Sequence, residues 1–311
     1  MQVFHDISQL SSITRPLHLA VGVFDGVHLG HQAVIRAAQE GSRANGGIPI
    51  LVTFDPHPIR ILRPDEAPRI LSHCRHKLRK VERLGIDHAL VVTFDEEFSR
   101  KTGAEFVREL CSAAKDIRQI CVGKDWKFGC QRSGDFALLQ SLGAEQGFEA
   151  TGVEAFLKDG IPVSSTGIRE LIRRGNLDQA AKLLGAPYDV SGTVVEGDQL
   201  GRKLGFPTAN LLVHSEQLPP SGVYAVTVIL HGNHFSGVAN LGTRPTFSDK
   251  NDQRRLEVHL LDYEGTEFYG KDVEVVFRRF LRSEIKFPGP EKLIQQIHND
   301  IRQAREVLAP G

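Results

Sequence analysis

The chain lacks the marks of a membrane-spanning or secreted protein. Nowhere in its 311 residues does an uninterrupted apolar run approach the roughly 20 needed to cross a bilayer. Its first residues, Met1-Gln2-Val3-Phe4-His5-Asp6, carry no basic stretch followed by an apolar core, so a secretory leader is not expected. Neither charge is in excess: 38 Lys and Arg face 38 Asp and Glu, whereas a chain that mainly grips nucleic acid carries a basic surplus. Small ligands are therefore the expected partners, with no nucleic acid, no membrane and no obligate protein partner. Cysteine is scarce. The thiols at 74, 111, 121 and 130 form no CxxC pair, which excludes a zinc ribbon and a disulfide framework; reduced, buried or partly buried thiols in a cytoplasmic protein are expected instead. Also missing are GxxxxGK[ST], an HRD or DFG pair and GxGxxG, so P-loop, protein-kinase and dinucleotide-fingerprint readings fail. There is no internal repeat and no low-complexity segment.

What is present is a chain long enough for two domains with separate cores. In the first half, strand-like apolar runs at 17–24, 48–54, 89–94 and 120–123 alternate with helical patterns from about His31 and over 102–114, the grammar of parallel strands with crossover helices. Two helical patterns follow from Ser165, the second stopped by Gly185 and Pro187. After Tyr188 short strands at 192–195, 209–213, 222–230, 235–240, 256–262 and 273–280 are punctuated by Gly, Pro and Asn, which predicts an antiparallel barrel or sandwich. Leu293, Ile294, Ile297, Ile301 and Leu308 then form one helical stripe. A boundary near 186–190 is expected.

The segment Gly22-Val-Phe24-Asp-Gly-Val-His28-Leu-Gly30-His31 lies where a strand gives way to a helix, the place where open α/β sheets bind ligands. Gly30 permits close approach of a phosphate to the backbone, and two imidazoles three residues apart can donate hydrogen bonds to its oxygens. A metal pair and a plain polar surface are the competing readings, and no third ligand stands at motif spacing. A second anion candidate is Ser164-Ser165-Thr166-Gly-Ile-Arg169, whose hydroxyls can cap the following helix. A capping box would place Glu or Gln where Arg169 stands, and a cation there suits a bound anion better than an ordinary cap.

The HxGH signature at His28 to His31, together with the SSTxIR signature at Ser164 to Arg169, resembles the nucleotidylyltransferase superfamily, whose two motifs flank the ATP triphosphate. Phe54-Asp-Pro-His57-Pro58, Gly123-Lys-Asp125-Trp126-Lys-Phe-Gly129 and Gly134-Asp135 narrow the resemblance to bacterial FAD synthetases, with Trp126 standing where that family usually has Phe. The resemblance implies that an FMN phosphate attacks the α-phosphorus of ATP and releases pyrophosphate. It implies catalytic roles for His28, His31 and Arg169, ATP binding by Gly22, Phe24, Gly30, Ser164, Ser165 and Thr166, and flavin binding by His57, Asp125 and Trp126. A phosphate nucleophile is already anionic at neutral pH, so no general base is required; alignment and charge neutralisation, with Mg²⁺, are the catalytic burden.

In the second half, Gly201-Arg-Lys203-Leu-Gly205-Phe-Pro207-Thr208-Ala-Asn210 sets two glycines and two cations before a strand. Thr208 and Asn210 offer hard neutral oxygens for Mg²⁺, although a turn followed by a solvated strand face reads as well from these residues alone. With Asn240-Leu-Gly242-Thr-Arg244-Pro-Thr-Phe247, Leu256-Glu257-Val258-His259, Tyr269-Gly-Lys271 and Arg282-Ser-Glu284-Ile-Lys-Phe287, this order closely resembles riboflavin kinase over about 188–305. It implies Glu257 as the base that activates a ribityl hydroxyl, Gly201, Lys203 and Gly205 at ATP, Thr208 and Asn210 at the metal, and Arg282 and Glu284 at the flavin. Spacing alone would make Glu257 a surface carboxylate on an edge strand.

Taken together, the chain resembles the bifunctional bacterial riboflavin kinase/FMN adenylyltransferase family. The fold so implied is an α/β nucleotidylyltransferase (Rossmann-like) domain over 1–187, followed by an antiparallel β-barrel riboflavin kinase domain with a C-terminal helix over 188–311. Riboflavin, FMN, FAD and ATP are the implied ligands. Two alternatives stand beside this one: a single active module with the other kept as a flavin-binding or regulatory body, and a non-enzymatic flavin or nucleic-acid binder. The segment 72–80, Ser-His-Cys-Arg-His-Lys-Leu-Arg-Lys, is expected to be a solvated helix face and receives no site.

Overall fold

The computed structural model describes residues 1–197, 201, 204–243, 254–263, 265 and 268–309. The chain divides into two compact units, one of Met1–Pro68 with Cys74–Ser165 and the other of Arg69–His73 with Thr166–Gly311.

The first unit is built on a six-stranded parallel sheet in the order β1-β4-β3-β2-β5-β6, with β1 Gln2–Phe4, β2 Leu17–Val21, β3 Ile48–Asp55, β4 His88–Thr93, β5 Ile117–Gly123 and β6 Glu149–Val153, followed by a two-stranded sheet of β7 Leu157–Lys158 and β8 Ile161–Pro162. All five residues of the central strand β2 are buried, as a strand covered on both faces requires. The chain leaves β2 for β3 on one side and later returns to lay β5 on the other, so the order of strands reverses beside the carboxyl end of β2. Crevices at such reversals are where doubly wound sheets take ligands. Helix α1 Leu29–Asn45 begins there, capped by His28 and closed by Gly46 in the left-handed region.

Sequence periodicity anticipates a helix at 72–80, realised as α3 Cys74–Arg83, and one over 102–114, realised as α5 Gly103–Ala113, but does not pick out β1, β6, the short helices α2 Pro58–Leu62 and α4 Glu96–Ser99, or α6 Phe136–Gln146. Strand β1 is three residues long, too short for alternation to register. Helix α6 carries Gly143 in its interior; a Cβ there would stand 2.6 Å from the Phe148 carbonyl, so packing overrides the propensity cost. Helix α3 corrects the expectation of a solvated face at 72–80, because His76 and Lys77 are both buried.

The second unit holds a closed six-stranded antiparallel barrel in the order β10-β13-β12-β11-β14-β9, formed by β9 Asp189–Val195, β10 Ala209–Val213, β11 Gly222–Leu230, β12 Asn233–Thr243, β13 Arg254–Leu260 and β14 Asp272–Arg282. Closure removes the exposed strand edges. Helices α7 Ser165–Arg173 and α8 Leu177–Leu184 precede it, and the long helix Pro290–Leu308 (α9) follows. Helix α9 lays Ile301, Val307 and Leu308 beside Ala225, Val238, Leu261 and Leu281, with Ala304 wholly buried among them. The apolar stripe anticipated along this helix divides its work. Its later part packs on the barrel, whereas Leu293 and Ile297 line a pocket.

Candidate active sites

In the first unit the turn after β2 is wound tightly. Phe24 and Val27 sit at φ 54° and 49°, and Gly26 at φ 83°, a left-handed stretch that side chains other than glycine seldom adopt. Phe24 is fully buried, and its ring meets His31 edge-on at 5.3 Å. His28 Nδ1 accepts the His31 amide at 3.3 Å, and the two imidazoles stack 3.5 Å apart. With Nδ1 an acceptor, the proton of the neutral ring belongs on Nε2, which makes that atom a donor at the start of α1. A Cβ on Gly30 would lie 3.2 Å from His28 Cε1, and one on Gly22 3.2 Å from the Phe24 ring, so both glycines leave room for the rings. Ser165 Oγ donates to the Asp25 carbonyl at 3.0 Å, which ties the second serine of the SSTxIR segment to this turn. Ser164 and Thr166 flank it, both exposed. Arg169 lies along α7, where its Nε donates to the Arg69 carbonyl at 2.9 Å.

The residues expected at the flavin are placed one by one. His57 caps the short helix α2 Pro58–Leu62 just after β3, its Nδ1 accepting from the Ile59 amide. Asp125 is exposed in the turn after β5, and Trp126 is half-buried and stacked on Phe128 at 4.4 Å. Because β2, β3 and β5 are parallel, the loops bearing His28, His57 and Asp125 leave from the same edge of the sheet.

In the barrel, register does what motif spacing does in the first unit. Glu257 on β13 pairs with Asn210 on β10 and with Asn240 on β12, so three polar side chains from adjacent strands stand in one row. Their neighbours Leu256 and Val258 point the other way and are buried. A pocket of about 300 Å³ is lined by Gly201, Thr208, Asn240, Glu257, Arg282 and Glu284, together with apolar residues such as Phe206, Ile285 and Phe287. Arg255 Nη1 lies 3.5 Å from the Glu257 carboxylate. Asn210 is buried, and its Oδ1 has no hydrogen-bond partner among the described residues. Gly197 makes room for it, since a Cβ there would overlap Asn210 Nδ2 at 1.9 Å. Gly201 abuts Thr208 Oγ1, and Gly205, at φ 89°, turns the chain towards Thr208. The uncommitted buried oxygen of Asn210 has the chemistry a hard divalent cation takes, although the pocket lining includes Thr208 and not Asn210. Lys203 and residues 244–247 lie outside the described residues.

Three pocket residues had escaped sequence reasoning. Asp300 on α9 takes the Arg282 guanidinium in a bidentate pair, at 2.9 and 2.7 Å, and also accepts from Gln296. His259 lies two residues beyond Glu257 on the same face, with Nδ1 2.8 Å from the Pro207 carbonyl. Phe206 meets His259 and His298 edge-on. Glu284 enters the pocket where Gly242 has no side chain; a Cβ there would approach its Oε1 to 2.4 Å.

Comparison with known proteins matches the chain in two stretches. The FAD synthetase family model matches residues 10–167 and the riboflavin kinase family model residues 184–308. The bifunctional riboflavin kinase/FMN adenylyltransferase of Escherichia coli K12 is 42% identical over 290 residues, covering 93% of this chain and 91% of its own length. That of Pseudomonas fluorescens is 36% identical over 311 residues, 100% of this chain and 99% of its own length. A solved structure from Streptococcus pneumoniae, described as a macrolide-efflux protein, shares the architecture at TM-score 0.83 and 29% identity, covering 98% of this chain and 99% of that one. The efflux description stays with that protein. Among the described residues here, no helix is long and apolar enough to cross a membrane.

Proposed function

The chain belongs to the family of bifunctional riboflavin kinases/FMN adenylyltransferases, and we propose that its two reactions divide between the two clusters of side chains described above. One reaction phosphorylates riboflavin to FMN with ATP. The other joins the adenylyl group of a second ATP to FMN, giving FAD and pyrophosphate. The catalytic modules we assign to these steps are 188–311 and 1–187, an assignment supported by family models that begin at 184 and end at 167.

The kinase step needs a base, because a ribityl hydroxyl is a poor nucleophile at neutral pH. Glu257 takes that proton, Arg282 and Glu284 hold the flavin, and Gly201 and Gly205 serve the ATP phosphates, a role given to Lys203 from the sequence resemblance alone. The single observation that carries this assignment is the pocket that Glu257 shares with Thr208, Arg282 and Glu284. Kinase and nucleotidyltransferase families generally use a divalent metal, and Mg²⁺ is the ion we assign, held by Thr208 and Asn210. When bound, it supplies charge neutralisation on the ATP oxygens.

The adenylyl step needs no base. His28 and His31 donate to phosphate oxygens at the start of α1, where the helix dipole adds to them. Gly22, Phe24, Gly30, Ser164, Ser165 and Thr166 shape the triphosphate site, Arg169 adds positive charge for the leaving pyrophosphate, and His57, Asp125 and Trp126 receive the flavin. The Ser165 hydroxyl on the Asp25 carbonyl supports pairing the two motifs. The ligands are thus riboflavin, FMN, FAD and ATP. A cytoplasmic setting suits four free cysteines.

The test is to incubate the purified protein with riboflavin, ATP and Mg²⁺ and to follow the three flavins by chromatography. Transient FMN followed by FAD is expected. Accumulated FMN with no FAD, even when FMN is supplied directly, would confine catalysis to the barrel and overturn the roles given to His28, His31 and Arg169.

A further inference from the structure

A lysine is buried beneath the turn that carries the adenylyl-transfer histidines, where the carbonyl it binds already has a second, uncharged donor. Lys77, on α3, is 5% exposed. Its Nζ donates to the Val23 carbonyl at 2.9 Å and to Thr53 Oγ1 at 2.9 Å. The Thr53 hydroxyl itself donates to the same Val23 carbonyl at 3.0 Å, so an apolar side chain at 77 would leave that carbonyl satisfied. Burying an ammonium is among the costliest placements a fold can make, and a neutral residue of the same length would avoid the cost. The titratable groups that face it are Asp25 in the turn, itself buried, Asp55 at the end of β3, and the Cys74 thiol one helical turn back on α3.

We propose that Lys77 is a positioning residue of the adenylyl-transfer site: its ammonium grips Val23, fixes the strained 22–28 turn that presents His28, and keeps positive charge behind that turn for the polyphosphate. The inference rests on the assignment of His28 and His31 to the adenylyl step. Desolvation depresses the Lys77 pKa below the ordinary lysine value, opposed by Cys74, Asp25 and Asp55, so the ammonium gives up its proton at a lower pH than an exposed lysine does.

The test compares Lys77→Met, Thr53→Val and His28→Ala in the full-length protein. Adenylyl transfer from supplied FMN is measured for kcat and KM, riboflavin phosphorylation serves as an internal control, and thermal unfolding is recorded. In K77M, adenylyl kcat is expected to fall about 10²-fold, the loss typical of a misplaced catalytic group, with kinase turnover unchanged and no drop in unfolding temperature. T53V keeps the ammonium on Val23 and is expected to lose clearly less. Wild-type adenylyl transfer should also decline on the alkaline side as Lys77 deprotonates, a limb that K77M lacks. Adenylyl transfer within threefold of wild type in K77M would overturn the proposal. So would equal losses in K77M and T53V, or an early unfolding transition that accounts for the lost activity. Should H28A itself retain full adenylyl transfer, the site assignment fails instead of the inference alone.

Discussion

The two units solve phosphate chemistry with opposite architectures. In the parallel sheet, the groups we assign to the phosphates sit on a turn beyond a strand end, and their contacts are local: His28 to the His31 amide, and the Phe24 ring to His31. In the barrel, the proposed base sits within a strand in a row set by register, with Asn210, Glu257 and Asn240 abreast on three neighbours, while Gly201, Gly205 and Thr208 come just before β10. The difference follows the nucleophile. An FMN phosphate arrives already charged and needs donors aimed at oxygens, which a helix start provides. A ribityl hydroxyl must lose a proton, which needs a carboxylate held at a fixed distance, and a closed barrel holds one rigidly.

The sharpest way to break this contrast is to remove the base. Glu257→Gln is expected to slow riboflavin phosphorylation by about 10²–10⁴-fold while FMN adenylylation, assayed with supplied FMN, is untouched. Steady-state rates of the two half-reactions decide it. The mirror experiment, His28→Ala, should lower adenylyl transfer by about 10²–10³-fold, as for loss of one donor to a developing oxyanion, with the kinase rate unchanged. The largely buried Arg282 and Asp300 pair, 18% and 4% exposed, tests whether register alone holds the end of the barrel we assign to the flavin. Asp300→Ala strands a guanidinium and should cost the barrel about 3 kcal/mol in denaturant unfolding, with a raised KM for riboflavin. Smallest is Gly30→Ala. The added methyl meets the His28 ring at 3.2 Å, and a displacement of a few tenths of an ångström should cost about tenfold in adenylyl kcat with little change in stability.

The same contrast explains what the sequence made legible. Contiguous motifs such as His28 to His31 are read directly, because the turn that assembles them is local. The six barrel strands are also legible, as short apolar runs punctuated by Gly, Pro and Asn, although burial alternates cleanly along β13 and runs unbroken for five residues in β14. Asp300 was not, because it lies 18 residues from Arg282 and meets it only through the packing of α9. A signal was present: Asp300 falls on the apolar stripe of that helix, three residues after Ile297 and beside Ile301, and an acid on such a stripe is paired or ligated. Lys77 was hidden in the opposite way. A run of cations read as a solvated face, yet Val81 one turn later marks the buried side of α3, and Lys77 shares it. The Asn210 to Asn240 row could not be read from spacing at all, because it depends on which strands become neighbours when the barrel closes.

The central claim is that two independent sites act in sequence on one chain, and complementation tests it most directly. Purified E257Q and H28A proteins are mixed with riboflavin, ATP and Mg²⁺, and FAD is followed over time against each variant alone. The account predicts that H28A alone stops at FMN, E257Q alone leaves riboflavin almost unconverted, and the mixture makes FAD after FMN has appeared in solution. A mixture that makes no FAD, because either substitution has silenced both half-reactions, would contradict it.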